Sequence, residues 1–316
     1  MKRIAALVFS VCFSSTSFAN RSFNDYFDDY YKRGLVPSHE TARYALKNRY
    51  VFIAGFLNEY VENYWGDVIE SLQKLAVAHE QITLIRPSSQ KSAEKNSKLL
   101  QAELEKIPQD LPLVIVAHSK GALELMNFAW SNPEFIDKRV SGLFFVQAPF
   151  DGSPIGDIFI SGKLKADSSL SWFSKIALEA QFLTEGLFLK SYHKALLDLT
   201  NDFAKRWQVA LQFKTSAIHE KIKDRFYTIT SSESLENLFF DIGTSANYMN
   251  RKFSPNDGVV PLSSQTLDIL RDNIAYLVAD HSDFVMSSHK PKTFRTAFGW
   301  AIVSLLEARN RNSENL

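Results

Sequence analysis

Short, continuous apolar runs alternate with longer segments of helical period, and this alternation restricts the fold more than any other feature. The runs lie at residues 50–55, 82–85, 113–117 and 143–146, and the segments between them place apolar side chains three or four positions apart. A run without polar alternation indicates a strand buried on both faces, as in parallel sheets covered by helices. The pattern therefore predicts an α/β fold with a mostly parallel central sheet flanked by helices.

This rhythm breaks for roughly 70 residues after the fourth run. Apolar side chains still recur at helical spacing there, and a structureless loop of that length is uncommon in a compact domain. We therefore predict a helical cap, or lid, inserted at about residues 151–223. Further strands are expected at residues 225–230 and 274–278, with a closing helix from about 291 to 308. The main domain then covers residues 50–316, preceded by a helical arm at residues 20–49.

The first 19 residues are typical of a signal peptide. Residues 1–3 include two basic side chains, residues 4–13 form a mainly apolar stretch, and Ser17 and Ala19 are the small residues that a signal peptidase reads. An apolar stretch of this length is too short to cross the ~30 Å of bilayer hydrocarbon. We expect cleavage near Ala19 and a periplasmic or secreted protein whose mature chain has no transmembrane segment.

Composition excludes several classes of protein. The chain has 316 residues, of which 45% are hydrophobic, so it can bury a large core and is not a disordered chain. Its 36 basic and 35 acidic side chains nearly cancel, which gives no reason to expect a nucleic-acid partner. The single cysteine, Cys12, lies in the leader, so a mature chain would have no disulfide, no cysteine-based zinc site and no cysteine nucleophile.

A serine stands where the third predicted strand meets a helix. Ser119 has Ala117 two positions before it and Gly121 two positions after it. A nucleophile on such a sharp turn needs small neighbours, although the first of them is more often glycine. The alternative is a serine that only caps the following helix.

An acid and a histidine follow Ser119 in the chain order of hydrolases that use such a turn. Asp257 lies in a polar loop before the last predicted strand, and His281 comes directly after that strand. Asp151, just after the fourth strand, is the rival acid. His118 should point away from the serine and pack or hydrogen-bond behind the sheet, because adjacent residues on a tight turn diverge.

These segments resemble the conserved loops of α/β-hydrolases of the lipase/esterase kind, over about residues 50–308. Residues 117–121 (Ala-His-Ser-Lys-Gly) resemble the nucleophile elbow, residues 256–261 the acid loop and residues 280–284 the histidine loop. Residues 147–157 are similar to a segment of bacterial triacylglycerol lipases.

The resemblance implies a role for each residue of the site. Ser119 would be the nucleophile, His281 the base and Asp257 the acid. The backbone N–H groups of Phe56 and Lys120 would form the oxyanion hole, although Ala54-Gly55 replaces the usual His-Gly before Phe56.

The resemblance also raises the question of calcium. Asp283 resembles a calcium ligand of some bacterial lipases, with Asp241 as a conceivable partner. Calcium takes at least six oxygen ligands, whereas the sequence offers two carboxylates here. We therefore expect no cofactor and keep calcium as the alternative.

The expected function is an exported serine carboxylic ester hydrolase that forms an acyl-enzyme. An acyltransferase would use the same residues and pass the acyl group to an alcohol, and a non-catalytic binding module is a third alternative. The cap supplies more large apolar side chains than a small insertion readily buries, which favours acyl or lipid esters and a transient contact with a lipid surface. These side chains are Trp172, Phe173, Phe182, Leu187 and Phe188.

Overall fold

The computed structural model describes residues 21–161, 187–212, 216–237, 249, 253 and 255–314. Its strands are β1 (Arg49–Ile53), β2 (Ile82–Ile85), β3 (Leu113–His118), β4 (Val140–Val146), β5 (Phe226–Ser232) and β6 (Ile274–Val278). The helices before the cap are α1 (Phe23–Tyr31), α2 (His39–Ala45), α3 (Gly66–Gln73), α4 (Ala93–Glu105), α5 (Lys120–Ser131) and α6 (Pro133–Arg139). The remaining helices are α7 (Pro154–Ser161), α8 (Leu187–Leu197), α9 (Asn201–Gln212), α10 (Ala217–Lys223) and α11 (Lys292–Glu314).

The six strands form one sheet in the order β2-β1-β3-β4-β5-β6, and the pairings between them are parallel. This confirms the predicted α/β fold class. The order reverses between β1 and β3, where the connections leave in opposite directions and open a crevice beyond the carboxyl ends of the strands. Ser119 follows β3 at this crevice, and Phe56 comes shortly after β1.

Alternate side chains of the inner strands enter two separate apolar cores. In β3, Val114 and Val116 join the core that α1, α3 and α11 cover, while Leu113 and Ile115 join the core under α4, α5 and α6. Both faces are therefore dry, which is why these strands appear in the sequence as unbroken apolar runs. The edge strand β6 differs, because it buries Ala275 and Leu277 but leaves alternate side chains partly exposed.

Two helices form the segment before β1. The ring of Phe27 in α1 lies 5.1 Å from that of Phe294 in α11, and Tyr30 lies 5.7 Å from Trp300. The segment thus packs against the main body by aromatic contacts. Helix α11 ends later than predicted, because its polar last turns continue the backbone hydrogen bonding to Glu314.

The described part of the insertion between β4 and β5 is mainly helical, with α7, α8, α9 and α10 in turn and short non-helical segments such as residues 151–153 and 198–200. The predicted signal peptide lies outside the described residues, and so do Trp172, Phe173 and Phe182. Among the described helices, none combines the length and apolar character needed to cross a bilayer.

Candidate active site

Ser119 occupies a strained turn between β3 and α5. Its backbone has φ 54° and ψ −129°, a region that a residue with a side chain rarely adopts and that costs about 1–3 kcal/mol. The Ser119 N–H donates to the carbonyl of Val146 at 2.9 Å, which secures the turn against β4. A Cβ added at Gly121 would lie 2.4 Å from the carbonyl oxygen of Ala54, so the predicted requirement for a small residue there has a direct steric cause.

A chain of hydrogen bonds joins Ser119, His281 and Asp257. His281 Nε2 lies 3.0 Å from Ser119 Oγ, and His281 Nδ1 lies 2.8 Å from Asp257 Oδ2. With the Nδ1 proton directed at the carboxylate, Nε2 is left to accept the serine proton.

Four donors fix the Asp257 carboxylate, which is fully buried. Its Oδ1 accepts the backbone N–H groups of Val259 at 2.9 Å and Val260 at 2.7 Å. Besides His281, Gln265 Nε2 donates to Oδ2 at 3.2 Å. The N–H of His281 also donates to the Asp257 carbonyl at 2.9 Å, so the acid and histidine loops are joined through backbone as well as side chains.

The rival acid lies elsewhere. The side chain of Asp151 is exposed and accepts a hydrogen bond from Gln208 Nε2 at 2.7 Å. Within the described part of the chain it makes no hydrogen bond to His281. The structure therefore brings Asp257, and not Asp151, to the histidine.

Two backbone donors near Ser119 have no acceptor among the residues that the structure describes. The N–H groups of Phe56 and Lys120 make no hydrogen bond to any of the described residues. The peptide group that carries the Phe56 N–H is fixed through its carbonyl oxygen, because Asn58 Nδ2 donates to the Gly55 carbonyl at 2.9 Å. A Cβ on Gly55 would lie 3.0 Å from Ser119 Cβ, so glycine permits this close approach of the loop after β1 (residues 54–57, the β1 loop) to the serine.

The Lys120 side chain is buried in an ion cluster, which sequence reasoning missed. Its Nζ lies 2.5 Å from Glu124 Oε1, 3.1 Å from the Lys91 carbonyl and 3.9 Å from Asp198 Oδ2. Asp198 belongs to the insertion and also accepts the N–H of Ala93 at 2.5 Å. Burial raises the pKa of Asp198 to about 6 and also raises the pKa of Glu124. The sequence did contain a signal for this contact, because Lys120 and Glu124 are oppositely charged and stand four residues apart, a spacing that brings two side chains together on a helix.

A largely apolar cavity of about 400 Å³ opens onto Ser119 and His281. Its apolar lining comes from the β1 loop, the insertion and the residues that directly follow the histidine loop, and includes Phe56, Leu57, Ile155, Leu196, Val285 and Met286. Such a cavity suits an apolar group attached to a reacting carbonyl.

Asp283 lies in a small polar cluster near His281. Its Oδ2 accepts the Asp280 N–H at 2.7 Å, and its Oδ1 accepts the Ser288 hydroxyl. Ligand atoms of Asp280, Asp283 and His289 come within 4.8 Å of one another, and calcium would need further oxygen ligands beyond these two carboxylates to reach six to eight. Burial and the neighbouring Asp280 raise the pKa of Asp283 to about 6. Asp241 lies outside the described residues.

Neither a protein-family model nor a curated protein matches this sequence. The structure is similar to that of a carboxyl esterase of metagenomic origin, with a TM-score of 0.59 and 20% identity over 86% of this chain and 77% of the esterase. It is also similar to the mature form of a Bacillus licheniformis lipase, with a TM-score of 0.51 and 18% identity over 75% of this chain and 85% of the lipase. The chain therefore has the α/β-hydrolase fold, as its resemblance to bacterial lipases and esterases predicted.

Proposed function

We propose that this protein is a serine carboxylic ester hydrolase of the lipase/esterase kind. The observation that carries the proposal is the hydrogen-bonded chain of Ser119, His281 and Asp257. Ser119 Oγ attacks the ester carbonyl while its proton passes to His281 Nε2. His281 then protonates the departing alcohol and leaves an acyl-enzyme, which a water molecule hydrolyses by the same steps in reverse order.

The charge that develops on the carbonyl oxygen would be met by the N–H groups of Phe56 and Lys120. Backbone donors that have no other acceptor are suited to this role, since they need no rearrangement as the charge forms. Losing one such donor typically slows turnover by ~10²–10³.

We further propose acyl or lipid esters as substrates. The support is the apolar cavity beside Ser119, to which the insertion contributes Ile155 and Leu196. Fold relatives that are called a carboxyl esterase and a lipase agree with this substrate class. A cap that opens over the serine would let the protein meet a lipid surface transiently.

Export is a separate proposal, supported by the charge and hydropathy of residues 1–19. N-terminal sequencing of protein from the periplasm and the culture medium tests it, with a mature terminus near residue 20 as the expected result.

We also propose that hydrolysis needs no cofactor, so activity should survive EDTA. A loss of activity that added calcium restores would contradict this.

The function is tested by hydrolysis of p-nitrophenyl esters and by labelling with a fluorophosphonate. The protein should hydrolyse the esters and carry the label on Ser119 alone, as read by mass spectrometry. Ser119→Ala should abolish both, while Ser71→Ala, which removes another buried serine hydroxyl that does not line the cavity, should retain both. A folded protein that is neither labelled nor active would be a binding module. Ester products formed with added methanol or glycerol, in place of free acid, would indicate an acyltransferase.

A further inference from the structure

A second buried chain of hydrogen bonds runs beneath the catalytic one, from the β1 loop to the histidine loop. The Gly55 N–H donates to Tyr64 Oη at 2.9 Å, and Tyr64 Oη lies 2.6 Å from His118 Nδ1. His118 Nε2 lies 2.9 Å from Gln147 Oε1. Gln147 Nε2 in turn donates to the carbonyl of Asp280, the residue before His281, at 2.7 Å. Tyr64, His118, Gln147 and Asp280 are all buried.

The position of each proton in this chain follows from its two ends. The Asp280 carbonyl can only accept, so Gln147 must present its amide NH₂ there and its oxygen to His118. His118 Nε2 must therefore carry a proton, which leaves Nδ1 of the neutral ring as an acceptor for the Tyr64 O–H. Tyr64 Oη then accepts the Gly55 N–H. Each bond in this arrangement has one donor and one acceptor. If His118 were protonated, Nδ1 would carry a hydrogen as well and the buried Tyr64 O–H would lose its acceptor, so the uncharged ring fits the chain of hydrogen bonds best.

The backbone of Gln147 indicates that this arrangement is maintained at a cost. Gln147 has φ 50°, which is strained for a residue with a side chain. Its N–H donates to the Ile229 carbonyl at 2.9 Å, and its side chain is completely buried. This backbone conformation places the amide between His118 and the histidine loop, where a smaller or apolar side chain would remove both of these hydrogen bonds.

His118 also lies close enough to His281, the proposed base, for charges on the two rings to interact. The centroids of the His118 and His281 rings are 4.7 Å apart. During turnover His281 becomes positively charged, and a second positive charge at this distance would oppose the transition state. Burial, with a smaller contribution from His281, lowers the pKa of His118 well below its usual range.

We propose that Tyr64 and Gln147 are positioning residues that act through a permanently neutral His118. Tyr64 holds the Gly55 N–H and thereby the loop that presents Phe56, and Gln147 holds the Asp280 carbonyl and thereby His281. This inference rests on the proposed ester hydrolysis. It adds that the oxyanion hole and the base are held in register by one continuous chain of hydrogen bonds.

The first test compares Tyr64→Phe with Tyr50→Phe. Both remove one hydroxyl from a buried tyrosine, but the Tyr50 hydroxyl donates only to the Ala45 carbonyl, away from the site. Tyr64→Phe should lower kcat by ~10–100-fold, part of the ~10²–10³ that an oxyanion donor provides, with KM unchanged within about twofold. Tyr50→Phe should leave kcat as it is. Thermal unfolding of both variants separates a loss of stability from a loss of positioning.

The second test determines which ring nitrogen of His118 carries the proton. Imidazole ¹⁵N spectra should show one histidine as the Nε2–H tautomer that does not titrate between about pH 5 and about pH 8, and His118→Gln should remove its signals. In Tyr64→Phe the Nδ1 signal of this histidine should shift, because it loses its donor.

The outcomes separate the two proposals. If the wild-type protein is active but Tyr64→Phe retains the kcat of Tyr50→Phe, the positioning role is wrong and the hydrolase stands. A His118 that titrates in this range, or that carries its proton on Nδ1, would also overturn the positioning chain. A folded wild-type protein that neither hydrolyses esters nor takes up fluorophosphonate would overturn the proposed function and the positioning role together.

Discussion

Replacing Asp257 by asparagine tests the acid more sharply than removing its side chain. The variant keeps the shape of the residue and changes only its charge and one hydrogen-bonding group. Oδ1 accepts two backbone N–H groups, from Val259 and Val260, which cannot turn away. The asparagine oxygen is therefore drawn to the Oδ1 position, and its NH₂ group takes the Oδ2 position 2.8 Å from His281 Nδ1.

Two donors would then face each other unless His281 moved its proton to Nε2. In that tautomer His281 cannot accept the proton of Ser119, an arrangement that lowers kcat by ~10⁴ in serine proteases, or about 5.4 kcal/mol of activation free energy. Turning the amide over would restore the tautomer but leave two buried N–H groups unpaired, at about 1–3 kcal/mol each. Since neither orientation escapes a cost, we expect kcat to fall by roughly 10²–10⁴.

The assay is steady-state hydrolysis of a p-nitrophenyl ester at saturating concentration. Asp151→Asn is the matched control, because it makes the same chemical change in the exposed rival acid and should leave kcat nearly as it is. His281→Ala should match Ser119→Ala, because residues that act as one unit do not contribute additively. An Asp257→Asn variant within tenfold of the wild type, or one more active than Asp151→Asn, would refute the assignment of the acid.

Three further predictions concern the cap and the fold. If the cap at about residues 151–223 opens as a lid, octanoate and longer esters should have a higher kcat/KM than acetate and butyrate, since each buried methylene contributes up to ~0.8 kcal/mol; a preference for the short esters together with no activation by micelles would indicate a fixed cap. Gly121→Ala should destabilise the protein by roughly 1–3 kcal/mol in urea unfolding, because its Cβ would lie 2.4 Å from the Ala54 carbonyl; an unchanged midpoint would contradict the close contact. Burial raises the pKa of Asp198 to about 6, so the folded state keeps a proton that the unfolded state has released, and the free energy of unfolding should fall as pH rises from about 4 to about 6. Denaturation across this range should show a flatter slope for Asp198→Asn, and an identical slope would refute the assignment.

The sheet could be predicted from the amino-acid sequence because a strand that is buried on both faces appears as an unbroken apolar run. Strands β1, β3 and β4 are dry on both sides, and each coincides with a predicted run to within a few residues. The turn at Ser119 could be predicted in the same way, because the small residues that it needs, Ala117 and Gly121, lie within the same five residues of the chain. The order of Ser119, Asp257 and His281 could be read for the same reason, because each follows or precedes a recognisable strand.

What the sequence left open depends on contacts between distant segments. Asp151 and Asp257 are both acids near strand ends, and only the folding of the Asp257 loop onto His281 distinguishes them. The composition of the cavity, with side chains from the β1 loop, the insertion and the histidine loop, is likewise a property of their assembly.

Lys120 and His118 show the same division next to Ser119. In the sequence Lys120 could as well face solvent or substrate; it is buried because Asp198, from the insertion, and Glu124 surround its ammonium group. His118 could be placed on the turn from sequence, but its burial, which lowers its pKa, and the contacts that join it through Gln147 to the Asp280 carbonyl could not be read there. Local pattern determines which elements form, whereas burial and hydrogen-bond partners, which set the charge and the role of a side chain, exist only once those elements have packed together.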